Sequence, residues 1–308
     1  MSLQKMGMSP YGPATFVKSP LVGLGDPWVG DVAVLGVPFD IGVGFRPGTR
    51  WGPKGIRDLS VRFGSVGAGD GYFDLRDRCQ KGACRIVDVG DVEILPLDWE
   101  QNFELTTNAV RRIRNNGAFP VVLGGDHSIT YPVVSAFDDL ASITVIHFDA
   151  HFDYRDEVQG VRYAHGNVLR RVRELPNVEK IISIGVRSLR TRAEDFADFE
   201  TDGNVCIPAW DVHEKGAESF LDLIPVNQTL YITFDIDGLD PAIAPGTGTP
   251  EVGGLSYEQA RAFLAYACQR NKIAGFDLVE VNPSLDTAQI TCLLAAQLVV
   301  EVIGLTHP

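Results

Sequence analysis

Two carboxylates and an imidazole lie close together in the sequence, directly after an apolar run. Residues 143–146 are Ile-Thr-Val-Ile, and the chain soon continues as Phe148-Asp149-Ala150-His151-Phe152-Asp153. A β-branched run that ends abruptly in charges predicts a buried strand that opens into a loop. Because side chains two residues apart point the same way in an extended chain, Asp149, His151 and Asp153 are predicted to converge. Burying such groups without partners would cost several kcal/mol, so the stretch predicts a cation site, with a solvated acidic loop as the alternative.

Two further stretches repeat this pattern. Residues 230–234 are apolar and end in Asp235 and Asp237, again two residues apart. Residues 121–123 lead into a glycine pair and then into His127, and the glycines permit the tight turn that would direct this histidine into the same site. The three stretches together supply six candidate metal ligands: His127, Asp149, His151, Asp153, Asp235 and Asp237.

The composition of this ligand set indicates which metal it suits. Six ligands are too many for one catalytic zinc ion, which usually takes three protein ligands. They suit two metal ions that share bridging carboxylates. Oxygen donors mixed with imidazole favour manganese over zinc, while iron, cobalt and nickel stay open. The predicted cofactor is therefore two Mn²⁺ ions per subunit.

The elements that must position these ligands follow a regular order. Strand and helix patterns alternate about eight times along the chain, without a break in composition. This order predicts an α/β fold with three layers, α/β/α, around a mostly parallel sheet of roughly eight strands. Functional sites of such folds lie beyond the carboxyl ends of the strands, where the ligand stretches fall. We expect residues 1–27 to form an extended N-terminal arm, residues 28–308 a single catalytic domain, and residues 64–81 within it an irregular segment.

Two helices are predicted near the end of the chain, one before and one after the last strand. Residues 257–269 show the apolar spacing of a helix that docks on a sheet. The last helix, predicted at about residues 287–302, is apolar almost all round and should be well buried.

The composition excludes several classes of partner. A net charge of −13 argues against nucleic acid and anionic membranes, and it weakly favours a cationic substrate. Five scattered cysteines form no metal-binding pair. Cys206, Cys268 and Cys292 lie in apolar runs, which is typical of small core residues in a reducing compartment, whereas Cys79 and Cys84 lie in a polar loop, where a disulfide is the less favoured alternative. No stretch is apolar enough to span a membrane or to serve as a signal peptide. We therefore expect a cytoplasmic protein that acts on a small molecule.

Several motifs resemble signatures of the ureohydrolase family, which includes arginases and agmatinases. They are Gly124-Gly125-Asp126-His127-Ser128, Asp149-Ala150-His151-Phe152-Asp153, Ser183-Ile184-Gly185-Val186-Arg187 and Phe234-Asp235-Ile236-Asp237-Gly238-Leu239-Asp240-Pro241-Ala242, the last continuing to Pro250. The similarity covers nearly the whole chain, from about Asp31 to the last helix. It implies an arginase-like fold, hydrolysis of a guanidinium group, and assembly as a homotrimer or homohexamer.

The resemblance also assigns the metal ligands. One metal would take His127, Asp149, Asp153 and Asp235, and the other would take Asp149, His151, Asp235 and Asp237. Asp149 and Asp235 would then bridge the two ions. A hydroxide shared by the metals would attack the guanidinium carbon, and Asp153 would orient it by accepting its hydrogen.

Two more residues match positions with roles in the family. Glu280 follows another apolar run, and its counterpart holds the substrate guanidinium, a planar fork that complements a carboxylate. The alternative for Glu280 is a salt bridge at a strand end. His165, within Tyr163-Ala164-His165-Gly166-Asn167, matches a mobile histidine that shuttles protons to the departing amine. The alternative for His165 is a residue that merely begins a helix.

The identity of the guanidine compound depends on residues 154–162. This loop departs from the polar pattern with which arginases grip the amino-acid end of arginine, so arginine is disfavoured. Asp156 or Glu157 would receive the amine of agmatine, whereas Arg155 or Arg162 would receive the carboxylate of a guanidino acid such as 4-guanidinobutyrate or 3-guanidinopropionate. The overall pattern is most similar to agmatinases, which predicts agmatine as substrate, with urea and putrescine as products.

Two hypotheses from other functional classes compete with this one. A catalytically inactive relative would bind manganese but release no urea, yet all six ligand positions, Glu280 and His165 are intact. A zinc amidohydrolase that acts on acylated amines is opposed by the bridging carboxylates, and activity restored by zinc alone would favour it.

Overall fold

The computed structural model describes residues 14–308, and its centre is an eight-stranded sheet. Every pair of neighbouring strands in this sheet is parallel, in the order β4-β1-β5-β10-β9-β6-β7-β8. The strands of the sheet are β1 (Val32–Val37), β4 (Ile86–Asp91), β5 (Phe119–Gly124), β6 (Ile143–Phe148), β7 (Val178–Ile184), β8 (Val205–Ile207), β9 (Thr229–Asp235) and β10 (Lys272–Val279). The predicted α/β class and the roughly eight-stranded sheet are confirmed.

Helices cover both faces of the sheet and complete three layers. They are α1 (Gly52–Ser60), α2 (Gly64–Gly67), α3 (Trp99–Asn115), α4 (Thr130–Ser135), α5 (Val168–Arg173), α6 (Ala193–Thr201), α7 (Ala209–Lys215), α8 (Tyr257–Arg270) and α9 (Ile290–Thr306). Two hydrophobic cores result, because α1, α7, α8 and α9 contribute buried side chains to one and α3 to α6 contribute to the other. Strands buried on both faces explain why their sequences are continuous apolar runs.

Helix α8 illustrates how local sequence specifies an element. Ser256 accepts a hydrogen bond from the backbone of Gln259, whose side chain accepts one from the backbone of Ser256, so the helix begins with a capping box. The predicted apolar stripe, from Ala260 to Ala267, is buried against the sheet. Helix α9 is buried along most of its length, as its apolar sequence predicts.

The prediction that residues 64–81 are irregular is wrong. They contain helix α2 and an antiparallel hairpin of β2 (Tyr72–Asp74) and β3 (Cys79–Lys81). Strands of three residues are too short to show a periodic signal, and a long-range contact helps to hold this hairpin: Arg261 of α8 donates to Asp74 at 3.0 Å.

The N-terminal segment is described only from residue 14, so the first part of the predicted arm lies outside the described residues. Phe16 and Val17 are fully buried against the domain. Their backbone N–H groups donate to Asp88 and Ser60, each at 2.7 Å. None of the helices within residues 14–308 combines the length and the apolar character of a membrane-spanning segment.

Candidate metal centre

Four adjacent strands of the sheet carry the predicted ligands at their carboxyl ends. In the order β5-β10-β9-β6, β5 leads to His127, β10 to Glu280, β9 to Asp235 and Asp237, and β6 to the Asp149–Asp153 stretch. Since the carboxyl ends of parallel strands meet at one edge, residues more than 150 positions apart in sequence become neighbours, as His127 and Glu280 are. The structure brings together all six predicted ligands and Glu280. We call these seven residues the floor of the site.

The floor contains two groups of nitrogen and oxygen atoms that share Asp149. His127 Nδ1 lies 3.1 Å from Asp149 Oδ2, 3.1 Å from Asp153 Oδ2 and 3.4 Å from Asp235 Oδ2. His151 Nδ1 lies 3.2 Å from the other oxygen of Asp149 and 3.3 Å from Asp237 Oδ2. Asp149 therefore faces both histidines with different oxygens, which is the arrangement of a carboxylate that bridges two cations.

The buried carboxylates of the floor favour a bound cation. Burial raises the pKa of Asp235 well above its usual range, and the neighbouring carboxylates raise it further. Burial would lower the pKa of His127, but its contacts with three carboxylates raise it well above the usual value. In the absence of a metal, Asp235 and His127 therefore keep their protons, and these protons reduce the repulsion among the clustered carboxylates. A divalent cation would replace these protons, because metal binding requires deprotonated ligands.

An unpartnered ring nitrogen that faces the carboxylates indicates that the floor fits a metal. His127 Nδ1 is buried and has no hydrogen-bond partner among the described residues. Three carboxylates lie within 3.4 Å of this nitrogen, so it is a donor atom available to a cation placed between them. The donors are carboxylate oxygens and imidazole nitrogens, a set that suits Mn²⁺ and similar divalent ions. Clusters that could hold a metal form around Asp149 with His127 and His147, and around Asp149 with His151 and Asp237.

A buried network behind His127 was not found from the sequence. Its Nε2 lies 3.0 Å from the hydroxyl oxygen of Thr233, which donates its own proton to Asp277 at 2.6 Å. Tyr231 donates to the second oxygen of Asp277 at 2.6 Å. Since Thr233 uses its only proton on Asp277, its oxygen accepts the Nε2 proton of His127 and leaves Nδ1 free for a metal. The available signal was the charge of Asp277 within an apolar strand.

His147 supports Asp149 in a similar way. It lies within strand β6 and is fully buried. Its Nε2 lies 2.9 Å from Asp149 Oδ2, and its Nδ1 lies 2.8 Å from the Ser183 hydroxyl. The histidine therefore holds one oxygen of the shared carboxylate in place.

Glu280 and His165 form a pair beside the ligand cluster. Glu280 Oε1 accepts the backbone N–H of His127 at 3.0 Å and lies 3.1 Å from His165 Nδ1. The second oxygen, Oε2, is buried without a partner among residues 14–308, so it is available to bind a ligand. Burial would lower the pKa of His165, but the carboxylate of Glu280 raises it to about 9.

Two residues of the floor hold backbone conformations that are uncommon for residues with a side chain. Asp153 has a φ of 49° and Glu280 a φ of 63°, both in the left-handed region. Such conformations cost of the order of 1 kcal/mol or more, and they cluster at functional sites where the surrounding structure enforces them. Both residues are ones to which sequence analysis assigns a catalytic role.

A cavity of about 950 Å³ opens above the floor, where His151, Asp153, Asp235 and His165 face it. The remaining residues that line the cavity form what we call the outer wall: Phe39, residues 41–45, Trp99, Phe152, Tyr154, Arg155, residues 158–164, Gly166, Ser188, Arg190, Thr191, Asp195 and Thr249. Residues 41–45, part of a glycine-rich loop, line the cavity. Arg46 donates to the backbone of Gly248 at 2.8 Å and holds this loop in place.

The predicted specificity residues divide into two pairs. Arg155 and Arg162 line the cavity. Asp156 and Glu157 do not; the carboxylate of Asp156 instead accepts hydrogen bonds from Arg171 at 2.7 Å and Arg162 at 3.1 Å. Arg190 and Asp195 line the cavity as well. They were not identified from the sequence, because a single charged residue in a loop, such as Arg190, or in the first turn of a helix, such as Asp195, carries no distinctive pattern.

Known proteins resemble this chain along nearly its whole length. The Arginase family profile matches residues 30–304. A guanidinobutyrase from Pseudomonas aeruginosa is 37% identical over 281 residues, covering 89% of this chain and 85% of that protein. An agmatinase from Pyrococcus horikoshii is 34% identical over 281 residues, covering 90% of this chain and 92% of that protein. The solved proclavaminate amidino hydrolase from Streptomyces clavuligerus has a TM-score of 0.85 at 30% identity, covering 96% of this chain and 97% of that one.

Proposed function

The chain belongs to the arginase family, and on that premise we propose that it is a manganese-dependent ureohydrolase that converts a small linear guanidino compound to urea and an amine. One observation carries the proposal: two groups of ligand atoms share Asp149 beside a buried carboxylate oxygen, Glu280 Oε2, that has no partner among the described residues. A carboxylate in this position complements the planar guanidinium fork.

Two Mn²⁺ ions would be held by the six ligands of the floor, with Asp149 and Asp235 shared between them. When bound, such ions lower the pKa of a water molecule and so supply a nucleophile near neutral pH. The remaining steps depend on the residues of the chain. Asp153 would accept a hydrogen of the attacking water and so direct its oxygen at the guanidinium carbon.

Glu280 would bind and orient the guanidinium. The residue is only 1% exposed, and Oε1 is already held by the backbone N–H of His127. The orientation of Oε2 is therefore set before the substrate arrives, which reduces the entropic cost of aligning the reacting carbon.

His165 would supply the proton that the leaving nitrogen needs. Its side chain is 21% exposed, lines the cavity and touches Glu280 through Nδ1. As water adds to the guanidinium carbon and the carbon–nitrogen bond breaks, the nitrogen takes a proton from the imidazolium, and the products are urea and an amine. The raised pKa of His165, about 9, keeps this proton available at neutral pH in the metal-free protein.

Agmatine and 4-guanidinobutyrate are the two candidate substrates. The resemblance of the motifs to those of agmatinases favours agmatine, whereas the relatives carry both names, guanidinobutyrase and agmatinase. The position of Arg155 and Arg162 on the cavity wall, with Asp156 and Glu157 away from it, favours a guanidino acid.

The test is urea release by manganese-loaded protein with agmatine, 4-guanidinobutyrate, 3-guanidinopropionate and arginine, combined with a count of bound metal. Glu280→Gln should retain both metal ions and lose about 100-fold or more in kcat/KM, because a buried carboxylate that pairs with a cation is replaced by a neutral amide. Glu258→Gln, an exposed residue paired with Arg76, is the matched control and should behave as wild type. Two bound Mn²⁺ ions without urea from any compound would instead support the inactive metal-binding relative.

A further inference from the structure

Arg190 is an exposed cation on the outer wall without an acidic partner. It lines the cavity that contains the floor, yet its side chain forms no ion pair or hydrogen bond with any residue in the described range 14–308. We propose that Arg190 binds a carboxylate at the far end of the substrate and thereby makes the protein selective for guanidino acids. The inference rests on the proposed ureohydrolase function and names its substrate class.

The backbone that carries Arg190 is held close to the metal ligands. The Ser188 hydroxyl donates to Glu251 Oε1 at 2.7 Å, and that oxygen lies 3.6 Å from Nε2 of His151. The Arg190 backbone N–H donates to the Ser188 hydroxyl at 3.2 Å, and its carbonyl accepts from Arg155 at 2.9 Å. Both backbone groups of Arg190 are therefore engaged while its guanidinium remains free.

The other charges on the wall are already neutralised. Arg162 is shared between Asp156 and Glu174, at 3.1 and 3.5 Å. Asp195 is paired with Arg192 at 2.9 Å and lies 3.4 Å from Arg155. Asp153 and Asp235, the other acids that line the cavity, belong to the predicted metal ligands.

This charge arrangement discriminates between the two ends that a substrate can present. A terminal ammonium would approach the unpaired Arg190 and find no free carboxylate on the outer wall. A terminal carboxylate would meet a guanidinium fork, which matches its geometry and can form two parallel hydrogen bonds. The wall therefore complements an anion, whereas Glu280 on the floor complements a cation.

A matched substrate pair tests the inference directly. In 4-guanidinobutyrate and agmatine the terminal charged atoms lie equally many bonds from the guanidinium, so the two compounds differ mainly in the sign of that charge. For the wild type we expect kcat/KM to be about 10- to 100-fold higher with 4-guanidinobutyrate, the range of one charge-assisted hydrogen-bonded pair.

Variants of Arg190 should change this ratio without changing the metal content. Arg190→Ala should remove most of the preference, Arg190→Lys should retain part of it, and Arg190→Glu should reverse it in favour of agmatine. Leu189→Ala, which alters the adjacent side chain that is 97% exposed, is the loop control and should leave the ratio unchanged. Arg162→Ala tests the competing receptor and should change the ratio less than Arg190→Ala.

A binding measurement separates this inference from the proposed function. Calorimetry on the manganese-loaded protein compares the product-like ligands 4-aminobutyrate and putrescine. Tighter binding of 4-aminobutyrate, lost in Arg190→Ala, would support the carboxylate site even if no urea were released, an outcome that would overturn only the proposed function. Equal ratios in wild type and Arg190→Ala, or tighter binding of putrescine by the wild type, would overturn the role of Arg190.

Discussion

The floor and the outer wall of the cavity differ in how they are built. The floor consists of residues at the ends of four adjacent parallel strands, most of them buried and held by hydrogen bonds from neighbouring elements. The wall consists mainly of loop residues, several of which have exposed side chains, such as Phe45 at 68% and Val161 at 51%. On the floor, acids gather around positions for cations; on the wall, arginines outnumber acids.

This difference indicates that the floor and the outer wall have separate functions. Strand ends are rigid because the sheet fixes them, so they can hold several ligands in one geometry. Loops tolerate changes in charge without disturbing the sheet, which makes them suitable for selecting the substrate. We expect substitutions on the floor to affect chemistry and metal content, and substitutions on the wall to affect the choice between substrates.

The largest effect is expected at Asp149, the residue that both ligand groups share. Asp149→Asn should lose at least one metal ion per subunit and reduce urea release by about 10³-fold or more, because a bridging charge is removed. Metal analysis and urea assays measure both quantities. Asp198→Asn, which alters an exposed acid paired with Arg170, is the control. Full metal content with activity within tenfold of wild type would contradict a bridging role.

A smaller effect is expected behind the floor, at Thr233. Thr233→Val removes the hydroxyl that holds His127 and should weaken binding of one metal ion by about 10- to 100-fold in calorimetry. Thr130→Val is a matched control, because the Thr130 hydroxyl also donates to Asp277, at 3.2 Å, but forms no hydrogen bond with the His127 ring. Thr233→Ser should restore the affinity. Equal effects of the two valine substitutions would indicate general destabilisation instead of positioning.

His165 connects the two regions, and its charge should appear in the stability of the metal-free protein. Pairing with Glu280 raises the pKa of His165 from 6.5 to about 9, so its contribution is fully present below pH 6.5 and is lost as the pH rises through 9. The melting temperature of wild type should therefore exceed that of His165→Asn by a few degrees near neutral pH and converge with it above pH 9. A difference that stays constant across this range would contradict the pairing.

The smallest effect is expected at Asp156. Its carboxylate is bound by Arg162 and Arg171 and does not line the cavity. Asp156→Asn should thus change the ratio of kcat/KM for agmatine and 4-guanidinobutyrate less than about twofold and lower stability by about 0–1 kcal/mol. Substrate assays and urea denaturation measure these quantities. A strong loss of agmatine turnover alone would return Asp156 to the role that sequence similarity suggests.

The site positions that sequence analysis found have a local signature. Each ligand stretch is a short apolar run that ends in charged residues, and both features lie within about ten positions of one another. Such a pattern can be read without knowing the fold. The roles assigned to these residues, like the trimeric or hexameric assembly, stay predictions.

The residues that were missed lack such a signature. Asp277 and Thr233 are direct partners across strands β10 and β9, although they are 44 positions apart in the chain. Their contact depends on which strands are adjacent and in what register, and the order of elements along the chain does not specify either. The hairpin within residues 64–81 was missed for a related reason, because its strands are too short to show the alternation of apolar and polar residues.

The fold class, the family and the candidate ligands follow from the sequence alone, because each depends on hydrophobic periodicity or on residues that are close in the chain. Which charged residues of the loops around the cavity remain unpaired depends on tertiary contacts. Asp156 and Arg190 are both charged loop residues, and no local pattern distinguishes them. One is bound by Arg171, which a helix places beside it, and the other has no acidic partner among residues 14–308. The difference arises from packing between distant segments, since the pairing of a charge depends on its neighbours in space.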